Sequence, residues 1–255
     1  MAERHLSWFV SDVHLGLDVL DPAAREARFV AFLRAIPAEE TEAVYLLGDI
    51  WDFWYEYRDV VPKGYVRVFA ALQDLMEAGV SVFFFQGNHD IWTYRYFADM
   101  GMVPLSQPHA VTIGGRHFCI GHGDGLGPGM GGYKCMRAIF HNRFLQALFS
   151  TLHPWFAFRL GNGWSKKSRL GKRIGYDFKG ESEPLYRFCA DYAAAHPVDF
   201  FVFGHYHCAV DMPVVPSGGG EQKPRLLILR DWMEGASWIR FDAVDGTVEI
   251  GWTTA

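Results

Sequence analysis

The chain has 255 residues, half of them hydrophobic, with 24 basic and 29 acidic side chains and a net charge of −5. Such a composition supports a large buried core, excludes a disordered chain and gives no reason to expect nucleic acid. Its four cysteines show no CxxC spacing, no apolar stretch approaches a membrane span, and no signal-peptide pattern precedes the first strand, so free thiols and a cytoplasmic location are expected.

Taken in order, an apolar run over residues 6–10 reads as a strand and is followed by Asp12-Val13-His14. Asp21 is placed to cap a helix with Pro22 in its first turn, and Phe29, Phe32, Leu33 and Ile36 fall on one stripe. A second strand over 43–47 leads into Gly48-Asp49-Ile50-Trp51-Asp52. The next helix is expected to start at Pro62 and stop before Gly79, with Val66, Phe69, Leu72 and Met76 facing inward. Strands over 80–85 and 117–120 precede Gly87-Asn88-His89-Asp90 and Gly121-His122-Gly123-Asp124.

Residues 125–187 break this rhythm. They carry 11 basic and 3 acidic side chains, a basic module on an otherwise acidic body. After a glycine-rich entry, Tyr133, Met136, Phe140, Phe144 and Leu148 recur at helical spacing until Pro154 interrupts them. This segment is expected to be a helical insertion within one domain spanning residues 1–255. A helix over 184–195 and a strand over 198–203 then lead to Gly204-His205-Tyr206-His207, and a strand over 226–229 precedes a hairpin around Asp245-Gly246. Alternating strands and helices argue for an α/β sheet with its ligands at the carboxyl ends of the strands.

Each polar cluster has a plain structural explanation by itself, since Gly, Asn and Asp all favour turns. Five of them at strand ends are harder to explain that way. Carboxylates and imidazoles crowded together are costly unless cations gather them, and oxygen–nitrogen donor sets suit divalent metals. The aromatic run Trp51, Phe53, Trp54, Tyr55, Tyr57 reads as interior packing or, alternatively, as a stacking platform for a base or sugar.

The order of the clusters resembles that of the calcineurin-like metallophosphoesterases, whose blocks run D-x-H, GD-x-x-D, GNH(D/E), GH and GH-x-H. The resemblance spans residues 12–207 and implies a four-layer αββα sandwich with a helical lid. It also implies two divalent cations, one held by Asp12, His14 and His207, the other by Asn88, His122 and His205, with Asp49 shared. His89 would contact the phosphate and Asp90 would orient it. Asp52 reads equally as a residue fixing a ligand imidazole and as the cap of the following turn.

Three stretches are similar to the UDP-2,3-diacylglucosamine hydrolases of lipid A synthesis: residues 48–57, 121–129 and 164–169. That similarity implies Mn²⁺-dependent water attack on the α-phosphorus, giving UMP and 2,3-diacylglucosamine 1-phosphate, by a peripheral protein of the inner membrane. Lys166, Lys167 and Arg169 would meet phosphate and the anionic bilayer surface, with Asp124 and Ser165 on sugar or amide groups; plain solvation is the competing account of Lys167 and Arg169. One departure is Arg230, which stands where that group has glycine in a Gly-Asp/Glu-Trp turn. The rival expectation is a related phosphodiesterase acting on soluble nucleotides.

Overall fold

The computed structural model describes residues 4–170, 176–220 and 223–254, without the side chains of residues 162, 164–170 and 253–254. Strands β1 (Leu6–Val10), β2 (Thr41–Leu46), β3 (Ser81–Phe85) and β4 (Val103–Leu105) run parallel, and β10 (Gly235–Asp242) and β11 (Val248–Thr254) continue the sheet antiparallel beyond β1. The second sheet orders β5 (His109–Ile113), β6 (Arg116–Ile120), β7 (Phe200–Phe203), β9 (Arg225–Ile228) and β8 (Val210–Pro213), with β6, β7 and β9 parallel.

Strand alternation divides the core into layers. From β1, Leu6, Trp8 and Val10 point one way, against Phe29 and Leu33 of α1 (Pro22–Ala35) and Val68, Leu72 and Leu75 of α2 (Val66–Glu77). Phe9 points the other way, joining Tyr45 and Phe85 against Phe118, Ile120, Val202 and Leu227 of the second sheet. That sheet's outer face is closed by Leu185, Tyr186 and Cys189 of α7 (Pro184–Ala195). Strands buried on both faces read as continuous apolar runs, which is why these were visible in the sequence. The layers are helix, sheet, sheet, helix.

Asp21 caps α1 as expected, its carboxylate accepting from the Ala24 N–H at 2.9 Å. The expected start of α2 at Pro62 is corrected to Val66, because Tyr65 adopts a left-handed φ of 60° that no helix can run through. Val66, expected inside, is 75% exposed.

The short α3 (Tyr96–Asp99) precedes β4, whereas α4 (Gly131–His141), α5 (Arg143–Ser150) and α6 (Pro154–Leu170) lie between β6 and α7, in the segment expected as an insertion. The continuous helix expected up to Pro154 is broken at Asn142, whose side chain accepts from the Phe144 and Leu145 N–H groups and so begins a new helix. Pro154 opens α6 and does not merely end its predecessor. The aromatic run divides accordingly. Trp51 and Trp54 are buried among Phe69, Phe84 and Phe97. Phe53 and Tyr55 instead seat the insertion, with Tyr55 on Phe149 at 4.9 Å and Phe53 on Phe158 at 6.0 Å between centroids. The Tyr55 hydroxyl donates to the Gln146 carbonyl at 2.7 Å, and the Trp92 indole N–H to that of Phe140 at 3.0 Å.

Candidate metal centre

The five clusters converge where the two sheets meet, because each begins one or two residues past a strand's carboxyl end. Backbone bonds lace the first two together: the Asp12 N–H donates to Gly48 O at 3.1 Å and His14 N–H to Asp49 O at 3.0 Å. Asp12, His14, Asp49, His205 and His207 all have φ between 49° and 70°. That left-handed conformation costs an L-residue about 1–3 kcal/mol, and its recurrence at these positions marks a site where the fold holds strain.

Asp49 lies at the middle of the cluster. Its Oδ1 accepts the His89 N–H at 2.8 Å, which aims Oδ2 inward. Oδ2 lies 3.8 Å from His14 Nε2 and 3.4 Å from His122 Nε2. On one side, Asp12 Oδ1 is 3.6 Å from both His14 Nε2 and His207 Nδ1. On the other, Asn88 Oδ1 is 3.3 Å from His122 Nε2, and the His205 ring stands 5.1 Å from that of His122. Asp12 Oδ2 is held in place by Ser11 Oγ at 2.6 Å and the His205 N–H at 2.9 Å.

The outer nitrogens orient the rings. His122 Nδ1 lies 2.9 Å from the Leu47 carbonyl, which can only accept, so Nδ1 carries a hydrogen and Nε2 is the ring nitrogen turned inward. His14 Nδ1 faces Asp52 Oδ1 at 3.3 Å, leaving Nε2 toward Asp12 and Asp49. A carboxylate behind an imidazole is the usual support of a metal-binding histidine. Asp52 therefore fixes imidazoles, and it serves two of them: its carbonyl lies 3.0 Å from His89 Nδ1 and its Oδ1 at 3.6 Å.

This donor set fits divalent cations. Asp12 Oδ1, Asp49 Oδ2 and His205 Nδ1 are buried and make no hydrogen bond, although each such buried group left unsatisfied costs about 1–3 kcal/mol. Asp12, Asp49 and His122 each offer a donor atom within 4.8 Å of the other two. Burial favours a neutral Asp49, but the His122, His89 and His14 rings outweigh it and hold the carboxyl well below its ordinary value. Burial likewise disfavours a charged His122, yet Asp49, Asp12 and Asp124 raise it to about 10. The field at this point favours positive charge, which cations would supply. His205 goes the other way, lowered to about 3 by burial and by His122, and stays neutral as a ligand must.

Asp90 and Asp124 have partners that the sequence does not reveal. Asp90 does not reach for the His89 ring. It accepts backbone N–H groups from Gly87 at 2.7 Å, Asp49 at 3.2 Å, Ile50 at 2.9 Å and Trp51 at 3.3 Å, clamping two metal loops together while Asp52 stands at His89. Asp124 is buried, and its Oδ2 accepts from the Tyr133 hydroxyl at 2.9 Å beside Arg137 Nε at 3.4 Å. It ties α4 to the loop carrying His122. Gln107, unnoticed in the sequence, supports the same loop by accepting the Gly123 N–H at 2.7 Å. The side chains of Ser165, Lys166, Lys167 and Arg169 lie outside the described residues.

Close backbone approach explains one glycine. A Cβ on Gly87 would sit 2.1 Å from Asp49 Oδ1 and 2.4 Å from its backbone nitrogen. Gly87→Ala is expected to displace Asp49 and lower turnover about 100-fold, measured as kcat at saturating metal; an unchanged kcat would mean that Asp49 has room to move.

The calcineurin-like phosphoesterase family model matches residues 7–209. The chain is 35% identical to a UDP-2,3-diacylglucosamine hydrolase of Porphyromonas gingivalis, covering 96% of this chain and 97% of that one. It is 31% identical to a protein of the same name from Hamiltonella defensa, over 93% of each chain. A third, from Salmonella schwarzengrund, is 30% identical over 91% of this chain and 93% of its own. With its strand-end carboxylates and imidazoles gathered about Asp49, this chain is an enzyme and belongs to the calcineurin-like phosphoesterase family.

Proposed function

We propose that the chain hydrolyses the diphosphate of UDP-2,3-diacylglucosamine in lipid A synthesis, by water attack at the α-phosphorus, releasing UMP and 2,3-diacylglucosamine 1-phosphate. The observation that carries the chemistry is the pair of buried carboxylate oxygens, Asp12 Oδ1 and Asp49 Oδ2, that make no hydrogen bond and face imidazole nitrogens. The substrate is supported by the names of the relatives aligned over nearly the whole chain. In this reading Asp12, His14 and His207 would hold one Mn²⁺ and Asn88, His122 and His205 the other, with Asp49 serving both. When bound, such a pair of cations acidifies water and neutralises charge on phosphoryl oxygens.

The residues supply the rest. The Asp52 carbonyl keeps a hydrogen on His89 Nδ1, so Nε2 is the atom that meets the substrate, giving or holding a proton at the departing oxygen. The Asp52 carboxylate, 3.6 Å from Nδ1, stabilises the charged imidazole while it does so. The insertion bears the apolar part of the substrate. Phe144, Leu148, Trp155, Phe156 and Leu160 are each more than half exposed, a patch of the kind that marks lipid or partner contact. Arg143 and Arg159 suit an anionic bilayer surface, to which each would contribute about 1 kcal/mol, and the basic run 166–173 adds to them in sequence. No described helix is long and apolar enough to cross a membrane, and a peripheral place at the inner membrane follows from this reading.

Incubation with UDP-2,3-diacylglucosamine and Mn²⁺ is expected to release UMP, and removal of the acyl chains to abolish most of that release. Equal rates with and without the chains would favour a soluble nucleotide as the substrate. The seat of the insertion offers a second test. A Cβ on Gly161 would lie 2.3 Å from the Phe53 ring, so Gly161→Val should push α6 off the body at about 1–3 kcal/mol. Lipid hydrolysis should fall about tenfold while that of a small aryl phosphodiester holds; equal losses on both would remove the lid from the account.

A further inference from the structure

The loop that carries His205 and His207 holds both in left-handed conformations, at φ 70° and 55°. Backbone of this kind persists only where its surroundings hold it. Three N–H groups contribute, Gly204 to His122 O, Tyr206 to Gly204 O and His205 to Asp12 Oδ2, each at 2.9 Å. The side chain between the two histidines contributes as well. Tyr206 is 8% exposed, and its ring joins Leu185 of α7 and Phe203 of β7 in the outer core. The His205 ring stands perpendicular to it, 5.5 Å away between centroids.

Two further rings seat Tyr206, and both come from the last stretch of the insertion, between α6 and α7. Tyr176 and Phe178 each lie 5.4 Å from it, edge to face at 60° and 81°, a favoured geometry for aromatic pairs. That stretch is pinned in turn by Glu183. The Glu183 side chain is buried and accepts the Tyr176 hydroxyl at 2.7 Å and the Lys179 N–H at 3.1 Å. A continuous run of contacts therefore leads from Glu183 through Tyr176 to Tyr206, and so to the loop of the two histidines.

We propose that Tyr206 is a positioning residue: seated by Tyr176 and Phe178, it holds His205 and His207 where they meet the cations. This rests on the two-cation reading above, in which those histidines serve different ions. A side chain between them acts on both ions, whereas the loss of one ligand acts on one. The insertion then has two parts. Its helices bear the lipid, while its last stretch shapes the centre itself, so damage at Phe178 reaches substrates that carry no acyl chain.

The test is calorimetric titration of the metal-free full chain with Mn²⁺, together with kcat on a small aryl phosphodiester at saturating Mn²⁺. The variants are Tyr206→Ala, Tyr206→Phe and Phe178→Ala, each checked for fold by circular dichroism. Tyr206→Ala is expected to weaken both ions about tenfold and to lower kcat about tenfold, because the ligands are misplaced even when filled. Tyr206→Phe keeps the ring and should stay within about twofold of the native chain on both readouts. Phe178→Ala removes half the seat and should cost about threefold on each. A folded Tyr206→Ala with native affinity and kcat would make the ring mere packing and overturn the proposal. Weakening of one ion alone, or a Tyr206→Phe as impaired as Tyr206→Ala, would overturn it too. Should Tyr206→Ala not fold, Phe178→Ala decides: native values for both readouts in that variant would likewise overturn the assignment. A native chain that binds fewer than two ions would instead overturn the two-cation reading.

Discussion

Asp49→Asn is expected to lower turnover at least about 10³-fold, equivalent to about 4 kcal/mol of transition-state stabilisation. The substitution is nearly isosteric. Its amide oxygen can still accept the His89 N–H that Asp49 Oδ1 accepts at 2.8 Å, so the loop keeps its shape. What changes is the inward-facing atom, where an NH₂ would replace the oxygen lying 3.4 Å from His122 Nε2 and 3.8 Å from His14 Nε2. A donor shared by two cations cannot be replaced by a hydrogen-bearing nitrogen. Thermal unfolding of the metal-free variant should stay within about 4 °C of the parent, the equivalent of roughly 1 kcal/mol in a chain of this size. Near-parental kcat would remove Asp49 from the centre.

Asp90→Ala should act on the fold first and on activity as a consequence. Four backbone N–H groups, from Gly87, Asp49, Ile50 and Trp51, donate to this one buried carboxylate. Left without an acceptor, each costs about 1–3 kcal/mol, partly relieved by water entering the space. A loss of about 4 kcal/mol, or some 10 °C in melting temperature, is expected, with turnover falling because Asp49 and Asn88 hang from the same clamp. Asp90→Asn keeps one acceptor oxygen and should lose about half as much stability. If Asp90→Ala melted like the parent, the clamp would be dispensable; if Asp90→Asn lost activity with full stability, a direct role at His89 would be restored.

Much of this could be read from the residues alone, for a physical reason. Strands buried on both faces, such as residues 6–10, are apolar at nearly every position, so a polar cluster just beyond them stands out. The Asp21–Pro22 start of α1 was legible because a cap is a local hydrogen bond. What escaped depends on distant partners. Nothing near Asp90 in the chain shows that its acceptors serve the loop at 49–51, and nothing near Asp124 shows that Tyr133 will bury it. Asn142 carried a capping signal, but an apolar pattern running across it at helical spacing masked the break. The exposure of Val66 is not legible because the sequence does not reveal the left-handed residue Tyr65 that makes Val66 the first residue of α2.

The central claim is that Asp49 is shared between two cations. Crystals grown with Mn²⁺ and measured at the manganese absorption edge test it most directly. Two anomalous peaks are expected about 3.5–4 Å apart, one among Asp12, His14 and His207, the other among Asn88, His122 and His205, with Asp49 Oδ2 between them. Anomalous density confined to one of those positions, or lying away from Asp49, would contradict the account.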